Sequence, residues 1–240
     1  MKPFWIYPLI LLLALATLPN QGVLAQDGTP ATISLKGIDI GDVGETGSTA
    51  FDDKAGQHTV AGSGGDIFGD SDQFHYAYMA WSGDGQIVAR VTKVDKTNKH
   101  AKAGVMFRET LDADAKNAVM EIKAATGSEF QYRQRTGEKT SYNGTRDIKA
   151  PYYVRLVRRG DTLTGYRSPD GVKWTEQSSA TVAMAKDIYV GLSVTAHNND
   201  ALNTSTFDKV KISSELPPVP KPISVKGNTG VTGFLSLIHI

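Results

Sequence analysis

Paired carboxylates are the residues that most often cleave glycosidic bonds, and this chain lacks the strand-borne form of that pair. A retaining glycosidase holds its acid and its nucleophile about 5 Å apart, and residues i, i+2 and i+4 of a strand share one face. A Glu-x-Asp-x-x-Glu run would satisfy both conditions, and the sequence has none. Its acidic clusters lie instead in Gly-rich or polar segments and are interpreted as solvated turn residues, namely Asp52, Asp53, Asp66, Asp70, Asp72, Asp112 and Asp114.

A hydrolase or lyase with an unrecognised site is a hypothesis that the sequence leaves open. Glu109 and Glu121 are the nearest candidates for its carboxylates, with Arg108 as an orienting residue. The sequence contains no Gly-x-Ser-x-Gly elbow and no cysteine. The histidines of residues 26–215 lack metal-ligand spacing and are interpreted as surface or strand residues; they are His58, His75, His100 and His197.

Aromatic rings beside planar polar side chains make a binding site the favoured hypothesis. Sugars stack their CH faces on flat rings, and their hydroxyls need planar donors and acceptors. The predicted ligand-binding residues combine these types: Trp81, Arg108, Tyr132, Arg133, Tyr142, Trp174, His197 and Asn198.

The aromatic residues also have a structural interpretation. Phe74, Tyr76 and Tyr78 share one strand face, so we expect them to fill the space between two sheets. Trp81 lies on the opposite face at a strand end, which makes it a better ligand candidate. Trp174 follows a tight turn, and its side chain either packs against the hairpin or provides a flat surface for a ligand.

These residues must be positioned by short strands. Apolar residues alternate with polar ones over short runs, and clusters of Gly, Asp or Asn separate these runs about every ten residues. Residues 74–81 and 86–92 flank Ser-Gly-Asp-Gly and are predicted to form a hairpin. Residues 153–158, 162–166 and 172–175 are predicted to form a three-strand meander. Residues 112–117 are predicted to be a loop that leads into a strand. The other predicted strands are 57–61, 103–108, 119–124, 129–135, 188–196 and 204–212.

These segments predict an all-β, two-sheet jelly-roll sandwich of about eleven strands over residues 26–215. Residues 1–25 have one cation, an apolar run and a small-residue end, which predicts a secretory signal peptide cleaved after Ala25. The Pro-rich stretch that opens residues 216–234 predicts an extended linker. Residues 235–240 match a translated sequencing-library adapter, so we expect the natural protein to continue differently.

The charge and the cysteine content of the chain limit the partners and the location that can be expected. After the predicted cleavage, basic and acidic residues are equal in number, so nothing favours nucleic acid or a membrane surface as a partner. A secreted or cell-surface location is expected, and without cysteine the fold must rely on its apolar core.

Several motifs together resemble one known family, the concanavalin A-like modules labelled "regulation of enolase protein". The motifs are Gly-Gly-Asp-Ile-Phe-Gly (64–69), Asp-Gln-Phe-His-Tyr (72–76), Ala-Lys-Ala-Gly-Val-Met-Phe-Arg-Glu (101–109), Pro-Tyr-Tyr-Val-Arg-Leu (151–156) and Ser-Pro-Asp-Gly-Val-Lys-Trp (168–174). The resemblance runs from about Ile38 to Ile212. It implies a jelly roll found as one module of larger exported bacterial proteins, whose function is uncharacterised.

The resemblance also implies two site features. Family members usually have a tryptophan where this chain has His100, so any ligand contact of that tryptophan is lost here. Lectin-type jelly rolls often hold a structural Ca²⁺, and by analogy Asp39 or Asp42 would meet Asp208 around it.

The favoured function is therefore a non-catalytic carbohydrate-binding or adhesion module of a larger exported protein, with a polysaccharide or cell-surface glycan as its partner. A structural spacer without a ligand and a glycoside hydrolase with an unrecognised site are the alternatives.

Overall fold

The computed structural model describes residues 33–125 and 127–219, and in this part of the chain it contains fourteen β-strands and no helix. The strands are β1 (Lys36–Ile40), β2 (Ser48–Asp52), β3 (Gln57–Gly64), β4 (Phe74–Ser82), β5 (Gly85–Lys93), β6 (Lys102–Arg108), β7 (Asn117–Lys123), β8 (Ser128–Arg133), β9 (Ser141–Thr145), β10 (Tyr152–Arg159), β11 (Thr162–Ser168), β12 (Thr175–Thr181), β13 (Asp187–Thr195) and β14 (Asn198–Ser213). No helix among the described residues could cross a membrane. The predicted signal peptide and the adapter match lie outside them.

The strands form two seven-stranded antiparallel sheets. The first sheet has the order β1-β4-β13-β6-β7-β8-β9, and the second has the order β12-β11-β10-β5-β14-β3-β2. The predicted jelly-roll sandwich is confirmed. The prediction of about eleven strands was too low because β1, β2 and β9 are short and mostly polar, so they lack a clear apolar alternation.

The main core lies between the two sheets. Alternate residues of a strand point to opposite faces, so Val105 and Phe107 of β6 face inward together with Met120 of β7 and Leu156 of β10. These side chains belong to one buried apolar cluster to which both sheets contribute.

Two connections predicted from sequence have different outcomes. The connectivity of the meander is confirmed, since β10 pairs with β11 and β11 pairs with β12, but the third strand is Thr175–Thr181 rather than the predicted 172–175. The hairpin between β4 and β5 is wrong, because β4 belongs to the first sheet and β5 to the second. The Ser-Gly-Asp-Gly turn crosses between the sheets, and its two flanking strands pair with distant strands rather than with each other.

The outward face of the first sheet has a second, smaller core beneath the loops 65–73 and 109–116. Phe74 and Tyr76 are fully buried there against Ile67, Met106 and Val119. The three aromatic residues of β4 do share a face, but the interpretation that they fill the space between the sheets was wrong. A long loop, which strand periodicity does not reveal, covers them from outside.

Candidate functional site

Arg108 and Arg133 form a buried ion-pair cluster with Asp72 and Asn117, which we call the Asp72 cluster. Arg108 Nη1 lies 2.6 Å from Asp72 Oδ2, and Arg133 Nη2 lies 2.6 Å from Asp72 Oδ1. All three ionic side chains are fully buried. The prediction of these two arginines as ligand-binding residues is therefore corrected, because neither guanidinium reaches the surface. Asp72 is likewise not a solvated turn residue.

The Asp72 cluster joins three loops to the first sheet. Arg133 donates to the backbone oxygens of Gly69, Ala115 and Glu138 at 3.3, 3.1 and 2.9 Å. Two guanidinium cations face one carboxylate, and these carbonyl dipoles help to stabilise the excess positive charge. The cluster fixes the loops that cover the sheet and leaves no carboxylate oxygen free for chemistry.

A second group of charged side chains surrounds Lys102 farther along the same face, and we call it the Lys102 cluster. Lys102 Nζ lies 2.7 Å from Asp66 Oδ1, 3.6 Å from Glu121 Oε1 and 4.0 Å from Glu129 Oε2. Glu121 and Glu129 are directly opposite each other on β7 and β8, so their side chains share one face as near neighbours.

Glu121 is the unusual member of the Lys102 cluster. It is fully buried, and neither of its carboxyl oxygens has a hydrogen-bond partner among residues 33–125 and 127–219, since Lys102 at 3.6 Å is beyond good hydrogen-bond range. Burial raises the pKa of Glu121 to about 8, so its carboxyl is mostly protonated at neutral pH. Burial alone would lower the pKa of Lys102, but Glu121 and Asp66 outweigh it and raise that pKa.

A partly exposed surface adjoins the Lys102 cluster at the β8–β9 edge. Tyr142 and Phe68 are 60% and 38% exposed, and their rings meet edge to face with centroids 5.8 Å apart. Tyr142 lies opposite Gln131 on β8, and Gln131 donates to Glu129 at 2.9 Å. Lys123 pairs with Glu129 at 2.5 Å. We call the surface formed by these five residues the shelf: Phe68, Lys123, Glu129, Gln131 and Tyr142.

His197 and Asn198 lie near the other side of the Lys102 cluster. His197 Nδ1 is 3.2 Å from Asp66 Oδ2, and its ring centroid is 5.1 Å from that of His100. Asn198 is exposed, and its side chain accepts a hydrogen bond from the backbone of Asp200. Of the predicted site residues, the structure thus brings Tyr142 and His197 to the edges of one charged cluster.

The remaining aromatic candidates lie elsewhere. Trp81 and Tyr132 are half-buried against the core between the sheets, which removes the geometric basis for predicting them as ligand contacts. Trp81 does face away from Tyr76, but that opposite face is the interior. Trp174 lies beside Tyr153 and Arg155 of β10. Because β10 belongs to the second sheet, Trp174 is not part of the surface around the Lys102 cluster, which lies on the first sheet.

The predicted calcium ligands are not brought together. Asp39 bonds to His75 at 2.7 Å, Asp42 is exposed in the turn after β1, and Asp208 on β14 pairs with Arg90. Across residues 33–125 and 127–219, no group of three His, Cys, Asp or Glu side chains is placed to hold a metal ion. The geometry therefore lends no support to calcium at these three residues.

The carboxylates proposed for a hydrolase are also separate. Glu109 pairs with Lys116 at 2.7 Å and accepts from the backbone of Ala185. Glu121 lies opposite Gly104 in the middle of β7, fully buried under the covering loop. The two carboxyl groups do not form a pair.

Sequence reasoning missed the importance of Lys102, Glu129 and Phe68 as site residues. A signal was present, because Glu121 interrupts an apolar run of β7 and Lys102 precedes one in β6. Charged residues are almost never fully buried without a partner, so each of them implied a hidden opposite charge. The partner Asp66 could not be identified, since it comes from a distant loop.

Comparison with known proteins supports the fold and no more. No family model matches the chain, and no curated protein matches it. A solved protein of unknown function from Saccharomyces cerevisiae is 14% identical, with a TM-score of 0.60 over 77% of this chain and 98% of its own. The carbohydrate-binding module CBM66 from Bacillus subtilis is 18% identical over 70% of this chain and 92% of its own, with a TM-score of 0.48. A legume lectin-like domain from Entamoeba histolytica is 9% identical over 70% of this chain and 88% of its own, with a TM-score of 0.48.

The match with a TM-score of 0.60 supports the fold alone. Membership in the "regulation of enolase protein" family stays a prediction from the motifs.

Proposed function

We propose that this domain is a non-catalytic carbohydrate-binding or adhesion module of an exported protein and that it holds a neutral glycan on the shelf. The observation that carries the proposal is the pair of exposed rings, Tyr142 and Phe68, which meet beside the partly exposed carboxylate of Glu129 and ammonium of Lys123. Aromatic faces and planar polar groups side by side are what a sugar ring needs.

The floor of the shelf favours a ligand that lies flat. Gly144 on the edge strand β9 is opposite Glu129, and a Cβ there would meet Glu129 only at 3.4 Å. The missing side chain leaves an open step next to Tyr142 on β9. Phe68 is held in place from behind, because Lys102 Nζ lies 5.7 Å from its ring centroid.

Loss of one stacked ring tests this proposal. We expect the purified protein to be retarded in native gels that contain one of a panel of neutral plant, algal or bacterial polysaccharides. Tyr142→Ala should weaken binding about tenfold, because it removes the larger exposed ring.

Phe51→Ala is the matched control, since Phe51 is 36% exposed on β2 of the other sheet. It should leave binding unchanged. Retardation by none of the polysaccharides, or equal losses in both variants, would refute the shelf as a glycan site.

A further inference from the structure

A row of stacked side chains crosses the outward face of the second sheet, and we call it the ladder. The Arg155 guanidinium lies between two rings, with its Cζ 4.4 Å from the Tyr166 centroid and 4.3 Å from the Trp174 centroid. Tyr153 meets Trp174 edge to face at 6.4 Å, and Arg90 lies 5.8 Å from the Tyr153 ring. All five side chains are half-buried, so part of each remains at the surface.

A rigid turn sets the position of Trp174. Asp170 Oδ1 accepts the backbone N–H groups of Val172 and Lys173, both at 2.8 Å. Gly171 has a φ of 74°, and a Cβ there would lie 2.9 Å from the Tyr153 ring, so only glycine fits. The indole N–H of Trp174 then donates to Gly171 O at 3.1 Å. The ladder is therefore preorganised before any ligand arrives.

Arg155 is a cation to which no described residue provides an anionic partner. Within the described ranges it makes no hydrogen bond and no ion pair, whereas Arg90 on the same face is paired with Asp208. Arg155 Nε is buried and unpartnered, while its two terminal nitrogens are not buried. Burial lowers the pKa of the guanidinium, yet arginine remains charged at any physiological pH. A partly dehydrated cation with two free donors at the surface favours an oxyanion.

We propose that the ladder is a second binding site, distinct from the shelf, that takes the carboxylate of a uronic acid in an acidic polysaccharide. A carboxylate is planar and can accept from both terminal nitrogens of Arg155 in the plane between Tyr166 and Trp174. The exposed parts of Trp174 and Tyr153 provide apolar surface for the CH face of the same sugar.

The charges around the ladder include two cations and two exposed carboxylates, and the second of these, Asp170, is engaged by backbone N–H groups of the turn before Trp174. Lys173 is exposed beside Trp174, and Arg90 has its charge balanced by Asp208. Glu176 is exposed directly opposite Tyr166 on β12, so it is the carboxylate whose unfavourable charge can be removed without disturbing the turn. Removing it should improve binding of an anion, which a purely structural stack would not show.

Calorimetry with polygalacturonate and with its carboxyl-reduced form tests the proposal. We expect the purified protein to bind polygalacturonate and to bind the reduced polymer at least tenfold more weakly. Arg155→Gln should lose at least tenfold in affinity for polygalacturonate. Arg155→Lys should lose less, because lysine keeps the charge but lacks the two terminal guanidinium nitrogens that bind a carboxylate together. Glu176→Gln should bind about twofold more tightly, since it removes a repulsive charge.

Arg135→Gln is the matched control, since Arg135 is 81% exposed at another site and its loss changes the net charge equally. Equal binding of the reduced polymer, or equal losses in the Arg135 and Arg155 variants, would overturn the proposal. Equal binding of dextran sulfate would overturn the choice of a carboxylate.

Tyr142→Ala should leave polygalacturonate binding intact, so failure of the shelf and failure of the ladder are distinguishable. If Arg155→Gln does not fold, the surface variant Glu176→Gln and the reduced polymer still decide the question.

Discussion

The Asp72 cluster and the Lys102 cluster bury charge on the same face of the same sheet, and they do so in opposite ways. Asp72 accepts four side-chain hydrogen bonds, from Arg108, Asn117 and Arg133. Glu121 accepts none, and its pKa is raised to about 8 by burial. A buried carboxyl group either is surrounded by donors or keeps its proton. The first cluster is therefore fixed architecture, and the second retains an unused titratable group behind the surface that we propose as a glycan site.

Removing the carboxylate of the first cluster should have the largest effect. Asp72→Asn leaves two guanidinium groups buried without a counter-ion, and we expect a loss of about 3–5 kcal/mol in the free energy of unfolding. Urea denaturation followed by circular dichroism measures it. Asp70→Asn is the control, because Asp70 is exposed in the same loop and should change stability by less than about 0.5 kcal/mol. Similar values for the two variants would mean that the Asp72 cluster is not what stabilises the loops.

Removing the cation of the second cluster should cost less. Lys102→Met deprives Asp66 of its partner at 2.7 Å, but Glu129 keeps Lys123 and Glu121 can remain neutral. We expect a loss of about 2 kcal/mol, near that of one charged hydrogen bond.

A double-mutant cycle with Glu121→Gln sharpens this result. If Glu121 is already protonated, the two changes should be nearly additive at pH 6 and should couple at pH 9, where the carboxylate needs Lys102. Strong coupling at pH 6 would mean that Glu121 is ionised there, contrary to our expectation.

Local alternation in the sequence was a good guide to most of the strands and to the meander, although not to the connection between β4 and β5. The β10–β11–β12 meander follows from tight turns such as Ser-Pro-Asp-Gly, whose Asp170 and Ser168 side chains bond the turn backbone as that sequence predicts. Local composition also predicted a loop over 112–117 that leads into a strand, and the strand β7 begins one residue inside that range, at Asn117.

The sequence failed wherever a contact joins distant parts of the chain. Asp72 lies 36 residues from Arg108 and 61 from Arg133, and no local pattern encodes such distances. Arg108 and Arg133 were chosen for residue type and Trp81 for its strand face, yet neither criterion tells which face of a strand is covered. That depends on the loop over the first sheet, and loop paths are set by long-range contacts rather than by periodicity.

The pH dependence of the free energy of unfolding should distinguish the Lys102 cluster, which contains a protonated Glu121, from the Asp72 cluster. The unfolded chain releases the Glu121 proton near pH 4.5 and the folded chain releases it near pH 8. Between these values the folded state holds the extra proton, so stability falls as pH rises, by up to about 1.4 kcal/mol per pH unit. Glu121→Gln should lack this slope.

Unfolding free energies at several pH values from 5 to 8 test that prediction, since a constant offset from the buried amide does not alter the slope. Parallel curves for the two proteins would show that Glu121 does not retain its proton.

The smallest effect should appear at His100, beside the Lys102 cluster. Burial lowers the pKa of His100, and the neighbouring His197, Lys99, Lys123 and Lys102 charges lower it further. In NMR titrations we expect His100 to titrate below pH 6.5 and His197→Gln to move its pKa upward. Because the folded-state pKa is lowered, protonation of His100 should reduce stability as pH falls through that range. His58 is the internal control: its ring lies beside Phe51 on the second sheet, so its titration should not respond. An unchanged His100 pKa in the His197 variant would show that the charge of His197 is screened at the edge of the Lys102 cluster, and charge there would then act as locally as it does around Asp72.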